Sequence, residues 1–280
     1  LSGIDQLSEK GSGKFRVGAP KSSDVLPLTY GFEKRKLIEN VEVIHVIPAH
    51  LSSLESLKNY DAVLMPSISY ARNSMELMVV PECGVVSNGK VGTVRLYIKE
   101  NLRVIKYVAI DPSAMNEVAM TKIVLAEKYQ MSPSFVVGET GIAKMLESAD
   151  AALIVGDNAL IADKELMANY IDLGEEWEDI TGLPFVHFIW SARRNSLGAD
   201  QLQSIISSRN LGVDNLKEIV NEVSVNLGLP YQSLAGHFEE EIYFEIAARE
   251  IEGMRQFFEL AYYHGILEYI PSVTFFPLDL

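Results

Sequence analysis

The chain carries one cysteine, Cys83, in 280 residues. No intrachain disulfide is possible, which suits a reducing cytoplasm. Nothing basic neighbours Cys83, and Pro81-Glu82-Cys83-Gly84 reads as a turn holding an inert thiol. Long apolar runs are missing too: no stretch approaches the roughly 20 residues that span a bilayer. Basic residues are scarce, with 24 Lys and Arg against 38 Asp and Glu and a formal net charge of −14. Such a surface repels phosphate backbones, which argues against a nucleic-acid partner. Neither a Gly-x-Gly-x-x-Gly run nor a phosphate loop occurs, so a nucleotide cofactor has no support. His45, His50, His187, His237 and His264 are scattered without metal-ligand spacing, and no metal is expected. His187 lies in an apolar strand and reads as a satisfied core histidine. Residues 1–13 are polar and lack the basic start and apolar middle of a signal peptide, so they read as a flexible N-terminal segment.

What remains is the composition of a globular protein, 48% hydrophobic and 22% charged. Its length suits one large domain or two lobes. Phe15 to Ala19, Val41 to Val46 and Ala62 to Met65 read as strands, separated by helical segments at Leu26 to about Leu37 and Ser52 to Lys58, the latter with Ser53 as N-cap. This alternation predicts an α/β sheet with parallel members. Val91 to Lys99 is a further extended segment, followed by a strand at Tyr107 to Asp111 and a helix from Ser113 to about Tyr129. Pro112 and Ser113 mark that helix start. From Leu197 the pattern is helical, with a long run from Glu239 to Tyr263.

Residues 153–190 are the most informative. Leu153 to Val155 is a short apolar run that stops at Gly156-Asp157-Asn158, as a buried strand ending in a polar turn does. Asp172-Leu173-Gly174-Glu175-Glu176-Trp177 then sets three carboxylates around a Trp. Thr181-Gly182-Leu183-Pro184 turns into a second apolar run, Phe185 to Trp190. This order of strand, acidic turn and strand resembles the chorismate dehydratases of the futalosine route to menaquinone. The likeness runs from about residue 14 to residue 270.

The resemblance implies an α/β, two-lobed type II periplasmic-binding-protein-like fold, with mixed sheets and a hinge. Residues 14–94 plus 192–280 would form one discontinuous lobe, and residues 95–191 an inserted one. It implies a cytoplasmic hydro-lyase that takes chorismate to 3-[(1-carboxyvinyl)oxy]benzoate without a cofactor. The partner would be a small carboxylate metabolite bound where strands end. A non-catalytic binding protein with the same clamshell, or a diverged member with another ligand, is the competing reading. Oligomeric state is not legible.

Thr93, in Gly92-Thr93-Val94, stands where the family has a Ser near the reacting ring, and Asp24 stands near the family's Asn. These two are the expected catalytic residues. Asp24 also reads as a solvated turn, and Thr93 as an ordinary strand residue. Ser67, Ser113 and Asn116 are expected on substrate carboxylates, although Ser67 also suits a helix cap. Arg95 alternates with Thr93 on one strand and is the first cation expected near the ligand. Asp157 fits either substrate binding or the ordering of backbone amides. Ala114, Met115, Asn116 and Glu117 replace a Ser/Thr-rich run bearing an Arg in the family. Glu117 reads as a helix-start carboxylate, and facing the cleft it would repel a substrate carboxylate.

Overall fold

The structure is a computed structural model that describes residues 14–34, 41–52, 54–100, 102–111, 114–139, 141–162 and 169–278. The chain opens with strand β1 (Phe15–Pro20), helix α1 (Leu26–Glu33), β2 (Val41–Val46), β3 (Ala62–Pro66), α2 (Ser67–Arg72) and β4 (Leu77–Ser87). Next come β5 (Val94–Ile98), β6 (Tyr107–Ile110), α3 (Met115–Glu127), β7 (Ser134–Val137), α4 (Ile142–Ser148), β8 (Ala151–Val155), α5 (Asp157–Ala162), β9 (Tyr170–Asp172) and α6 (Leu173–Thr181). The remainder is β10 (Phe185–Arg193), α7 (Ala199–Asp214), α8 (Leu216–Leu227), α9 (Tyr231–Gly236), β11 (Ile242–Tyr243) and α10 (Ala248–Tyr263).

Two mixed sheets result. One has the order β11-β4-β10-β3-β1-β2 and the other β7-β6-β8-β5-β9. In the first, β1 runs parallel to β2 and β3, while β10 runs antiparallel to β3 and β4. In the second, β6 runs parallel to β7 and β8, and β5 runs antiparallel to β8 and β9. The first sheet thus draws strands from both ends of the chain and the second from its middle. All nine residues of β10 lie in the first sheet's strand, so residues 185–191 sit with the elements on either side of the chain's middle section.

The all-apolar strands are those covered on both faces. Every residue of β3 is buried, as near-continuous apolar runs in parallel sheets require. Where the two sheets meet, α6, β10 and α10 share an aromatic cluster. Trp177 packs edge-on against Phe185 at 5.2 Å and against Phe257 at 5.8 Å, a geometry that adds about 0.5–1.5 kcal/mol per pair beyond burial.

Several expectations change. Cys83 is not in a turn but in the interior of β4, fully buried, where burial pushes its thiol up to about 12. Its neighbour Gly84 marks close packing rather than a turn. A Cβ there would stand 2.5 Å from the Ile246 side chain and 2.6 Å from the Phe188 carbonyl oxygen. The long helix expected over Glu239 to Tyr263 is interrupted. One turn of π-helix covers His237–Glu241, then β11 pairs with β4, and α10 begins only at Ala248. The break lets Ile242, Phe244 and Ile246 bury together, and the Glu250 carboxylate accepts the Ala247 N–H at 2.8 Å to start the new helix. The short helix at Ser52 to Lys58 becomes two turns of 3-10 helix, Pro48–Leu51 and Ser56–Asn59. Ser53, Ser113 and the end of the first helix at Leu37 lie outside the described residues. Among the described residues, no helix is long and apolar enough to cross a membrane.

Candidate functional site

Strand ends and their following turns wall a cavity of about 300 Å³. The turn after β1 supplies Lys21, Ser22 and Asp24; the end of β3 supplies Pro66; the one-residue turn at Gly156 after β8 leads into α5, which supplies Asp157 and Asn158. Thr93 and Val94 open β5 on the same wall, Glu117 enters from the first turn of α3, and His187 and Phe188 from β10. His187 sits at an irregularity in the ladder, where the β10–β4 register jumps between Val186 and Phe188. An extra residue of this kind re-aims a side chain, and it presents His187 to the cavity.

Asp24 is the electrostatic centre. Its Oδ1 lies 2.8 Å from His237 Nε2, and His237 Nδ1 lies 3.1 Å from Glu241 Oε2. Lys90 Nζ closes the row on Glu241 at 2.5 Å. Burial alone would raise Asp24, but the charge and hydrogen bond of His237 outweigh it, and the Thr93 hydroxyl bonds to the same carboxylate. The net result holds Asp24 below the usual carboxylate range. Burial disfavours the His237 imidazolium, yet Asp24 and Glu241 on its two nitrogens push it up to about 9. Glu241 resists its own burial and falls to about 2 through His237 and Lys90. The π-helical turn is what brings His237 and Glu241 together, and such turns are frequent at functional sites.

Three more acid or imidazole groups line the wall, and the first, Asp157, is raised by burial and by the charge of Asp24 against the Ser23 N–H it accepts. Burial pushes Glu117 up to about 7, its own backbone N–H opposing and the charge of Asp24 adding to the rise. Burial holds His187 down to about 4, opposed by Asp24 and reinforced by the charge of His237. His187 Nε2 is engaged with Ser87 Oγ at 2.9 Å. Near neutral pH the wall therefore carries an ionised Asp24, a Glu117 that holds its proton below about 7, an uncharged His187 and, behind Asp24, a cationic His237.

The placement of Thr93 depends on Asp172. One oxygen of that carboxylate accepts the Val91 N–H at 3.1 Å and the other the Gly92 N–H at 2.8 Å. The same group caps α6 through Gly174 and Glu175. Gly92 is in the left-handed region at φ 69°, and a Cβ there would come within 2.5 Å of Glu241 Oε2, so only glycine leaves both the turn and the His237–Glu241 contact intact.

Of the residues expected from sequence, Asp24, Thr93 and Asp157 share the cavity wall. Asp157 Oδ1 also accepts the Ser23 N–H at 3.0 Å, ordering the Asp24 turn. Ser67 and Asn116 do not face the cavity. Ser67 Oγ donates to the Val186 carbonyl at 2.8 Å, and Asn116 takes the Ile68 N–H at 2.8 Å while its amide donates to the His187 carbonyl. Both are fully buried ties between α2, α3 and β10. Arg95 is buried with its guanidinium 4.6 Å over the Tyr170 ring, away from the cavity wall. Ser113 lies outside the described residues.

Sequence reasoning missed His237, Glu241 and the cavity-facing role of His187. The one available signal was the four-residue spacing of His237 and Glu241, which suits two side chains on one helical face. It was hidden inside Glu239-Glu240-Glu241, which looks like a solvated acidic run. Nothing in sequence links His237 to Asp24.

The family described as menaquinone biosynthesis matches residues 15–263. A chorismate dehydratase of Thermus thermophilus is 25% identical over 260 residues, covering 87% of this chain and 93% of that protein. Among solved structures, a protein of Archaeoglobus fulgidus superposes with a TM-score of 0.72 at 16% identity, over 91% of this chain and 98% of the other. The periplasmic aliphatic sulphonate binding protein of Escherichia coli superposes with a TM-score of 0.61 at 16% identity, over 94% and 96%. The architecture is thus the periplasmic-binding-protein type expected from the sequence.

Proposed function

The chain belongs to the menaquinone-biosynthesis family, and from that premise we propose that it dehydrates chorismate to 3-[(1-carboxyvinyl)oxy]benzoate. The observation that carries this reading is the convergence of Asp24 and Thr93 on one cavity wall, where the Thr93 hydroxyl helps hold Asp24 low. Dehydration requires loss of a ring proton next to the carbinol carbon and loss of the hydroxyl as water. Asp24, kept ionised by His237, is placed to take the proton, and the Thr93 hydroxyl orients the carboxylate. His237 and Glu241 touch no cavity atom and act by positioning and charging Asp24. Formation of an aromatic ring supplies the driving force.

The expected objection to chorismate, repulsion by Glu117, weakens below about pH 7, where Glu117 retains its proton. Lys21 and the cationic His237 then offset part of the negative charge of Asp24. The same proposal takes the chain as two lobes, residues 14–94 with 192–280 and residues 95–191, closing around the cavity in the cytoplasm.

One observation favours a second reading. Lys21 is the only Lys or Arg on the described cavity wall, which suits a ligand with fewer negative charges, whether turned over or merely held. Purified protein incubated with chorismate and followed by chromatography separates the two. Appearance of the aromatic product, lost in D24A, supports dehydration. No product, together with tight binding of a different small carboxylate, overturns it.

A further inference from the structure

Proton removal at Asp24 leaves half of the elimination unexplained. Hydroxide is a poor leaving group, and a carboxylate held below its ordinary range is a weak base. Such a pair needs an acid at the departing oxygen. From the cavity geometry we infer that Glu117 is that general acid, donating its proton to the leaving ring hydroxyl while Asp24 takes the ring proton. This rests on the dehydration reading above and assigns a role to a position where the resembled family carries other residues.

Geometry supports it in three ways. Glu117 and Asp24 enter one cavity from different elements, α3 and the turn after β1, so both carboxyls line the space a ring would fill. Glu117 is nearly buried at 8% exposure, which shields its proton from bulk water. The competing donors are spent or unsuited. His187 is neutral with its Nε2 on Ser87, Asp157 accepts the Ser23 N–H, which favours its ionised form against the rise caused by burial and Asp24, His237 is turned toward Asp24 and Glu241, and Lys21 stands on an exposed turn. The two carboxyls are also driven apart in proton affinity, Asp24 downward and Glu117 up to about 7. Such divergence is how one site holds an acid and a base together.

The step balances. The C–H bond next to the carbinol carbon breaks, its proton goes to Asp24, and its electron pair becomes the new ring double bond. The C–O bond breaks with its pair on oxygen, which takes the Glu117 proton and leaves as water. Asp24 ends neutral and Glu117 ionised, and one proton returned through solvent restores both.

The test compares wild type with E117Q on chorismate and on an analogue carrying chloride in place of the ring hydroxyl, which departs without a proton. E117Q is expected to lose about 10²–10⁴-fold in kcat on chorismate, to keep KM within a few-fold, and to lose the alkaline limb of the kcat profile near pH 7. On the chloride analogue E117Q is expected to match wild type, a rescue that misfolding cannot produce. In E117A, added formate buffer at acidic pH is expected to restore turnover of chorismate. Equal slowing of E117Q on both substrates, or an unchanged kcat and alkaline limb on chorismate, overturns the acid role while leaving dehydration standing. A wild-type protein that turns over neither substrate overturns dehydration itself, and the acid role with it.

Discussion

His237 Nε2 stands 2.8 Å from Asp24 Oδ1 although 213 residues separate them. Both groups are buried, and Glu241 holds the other ring nitrogen. Removing one member of a buried charged pair strands its partner, at a cost of about 3–5 kcal/mol. H237A is therefore expected to lower the unfolding free energy measured in urea by that order and to raise the proton affinity of Asp24. In D24A/H237A no charge is left unpaired between the two, so the double variant is expected to be more stable than H237A alone. Equal stability of H237A and wild type would show that the pair contributes nothing.

Stability should respond to pH through the same groups. The folded-state affinity of His237 rises from 6.5 to about 9, so its contribution is complete below pH 6.5 and fades as pH climbs through 9. At about 1.4 kcal/mol per tenfold change in affinity, this amounts to about 3 kcal/mol. Glu241 is lowered from 4.5 to about 2, so its contribution is present above pH 4.5 and is lost as pH falls toward 2. Glu117, raised to about 7, adds a loss between pH 4.5 and 7, while His187, lowered to about 4, adds the opposite trend between 6.5 and 4. Between pH 4.5 and 6.5 these two oppose each other, which leaves a plateau there and a fall on the alkaline side. Urea midpoints taken from pH 6 to 9.5 should show that fall in wild type and a flattened profile in H237Q.

The strand-and-turn framework of this site was legible because it depends on local chemistry. Leu153 to Val155 reads as a buried strand from local pattern alone and ends β8, and of the turn expected at Gly156-Asp157-Asn158 only Gly156 is one, the other two opening α5. That Asp24 and Thr93 lie on the cavity wall follows from their places near strand ends, Asp24 four residues past β1 and Thr93 just ahead of β5. What stayed hidden was set by tertiary packing. The break at Ile242 needs β4 as a partner, and helical periodicity alone runs straight through it. Ser67 and Asn116 are polar residues at strand and helix ends, equally suited to hold a ligand or a neighbouring backbone, and the fold spends them on the backbone. The role of His237 depends on a contact between opposite ends of the chain, which no window of sequence contains.

That assignment of Asn116 has a measurable consequence. Asn116 accepts the buried Ile68 N–H and donates to the His187 carbonyl, and an abandoned buried partner costs about 1–3 kcal/mol. N116A is expected to lose about 2–4 kcal/mol of stability, since two buried backbone groups lose their partner together. KM for the substrate should change little in the folded fraction. S67A should behave the same way with a smaller loss, near 1 kcal/mol, because it frees the Val186 carbonyl and only a long 3.5 Å contact to Asn116 Oδ1. A large rise in KM with unchanged stability in either variant would return these residues to the ligand.

Asp172 sits away from the cavity yet governs it. Its carboxylate is buried at 4% exposure and accepts the N–H groups of Val91 and Gly92, directly ahead of Thr93, while also capping α6. D172A strands these donors and removes a helix cap, which together cost about 3 kcal/mol. D172N keeps the shape but turns one acceptor into a donor facing an N–H, so it is expected to fall between wild type and D172A in stability. Because the freed turn carries Thr93, both variants should also lower kcat at temperatures where they remain folded. T93V removes the hydroxyl while leaving the turn in place. If Asp172 acts only by holding Thr93, D172N/T93V should be no slower than T93V. A further drop in kcat for the double variant, at matched folded fraction, would show that Asp172 reaches the reaction by another route.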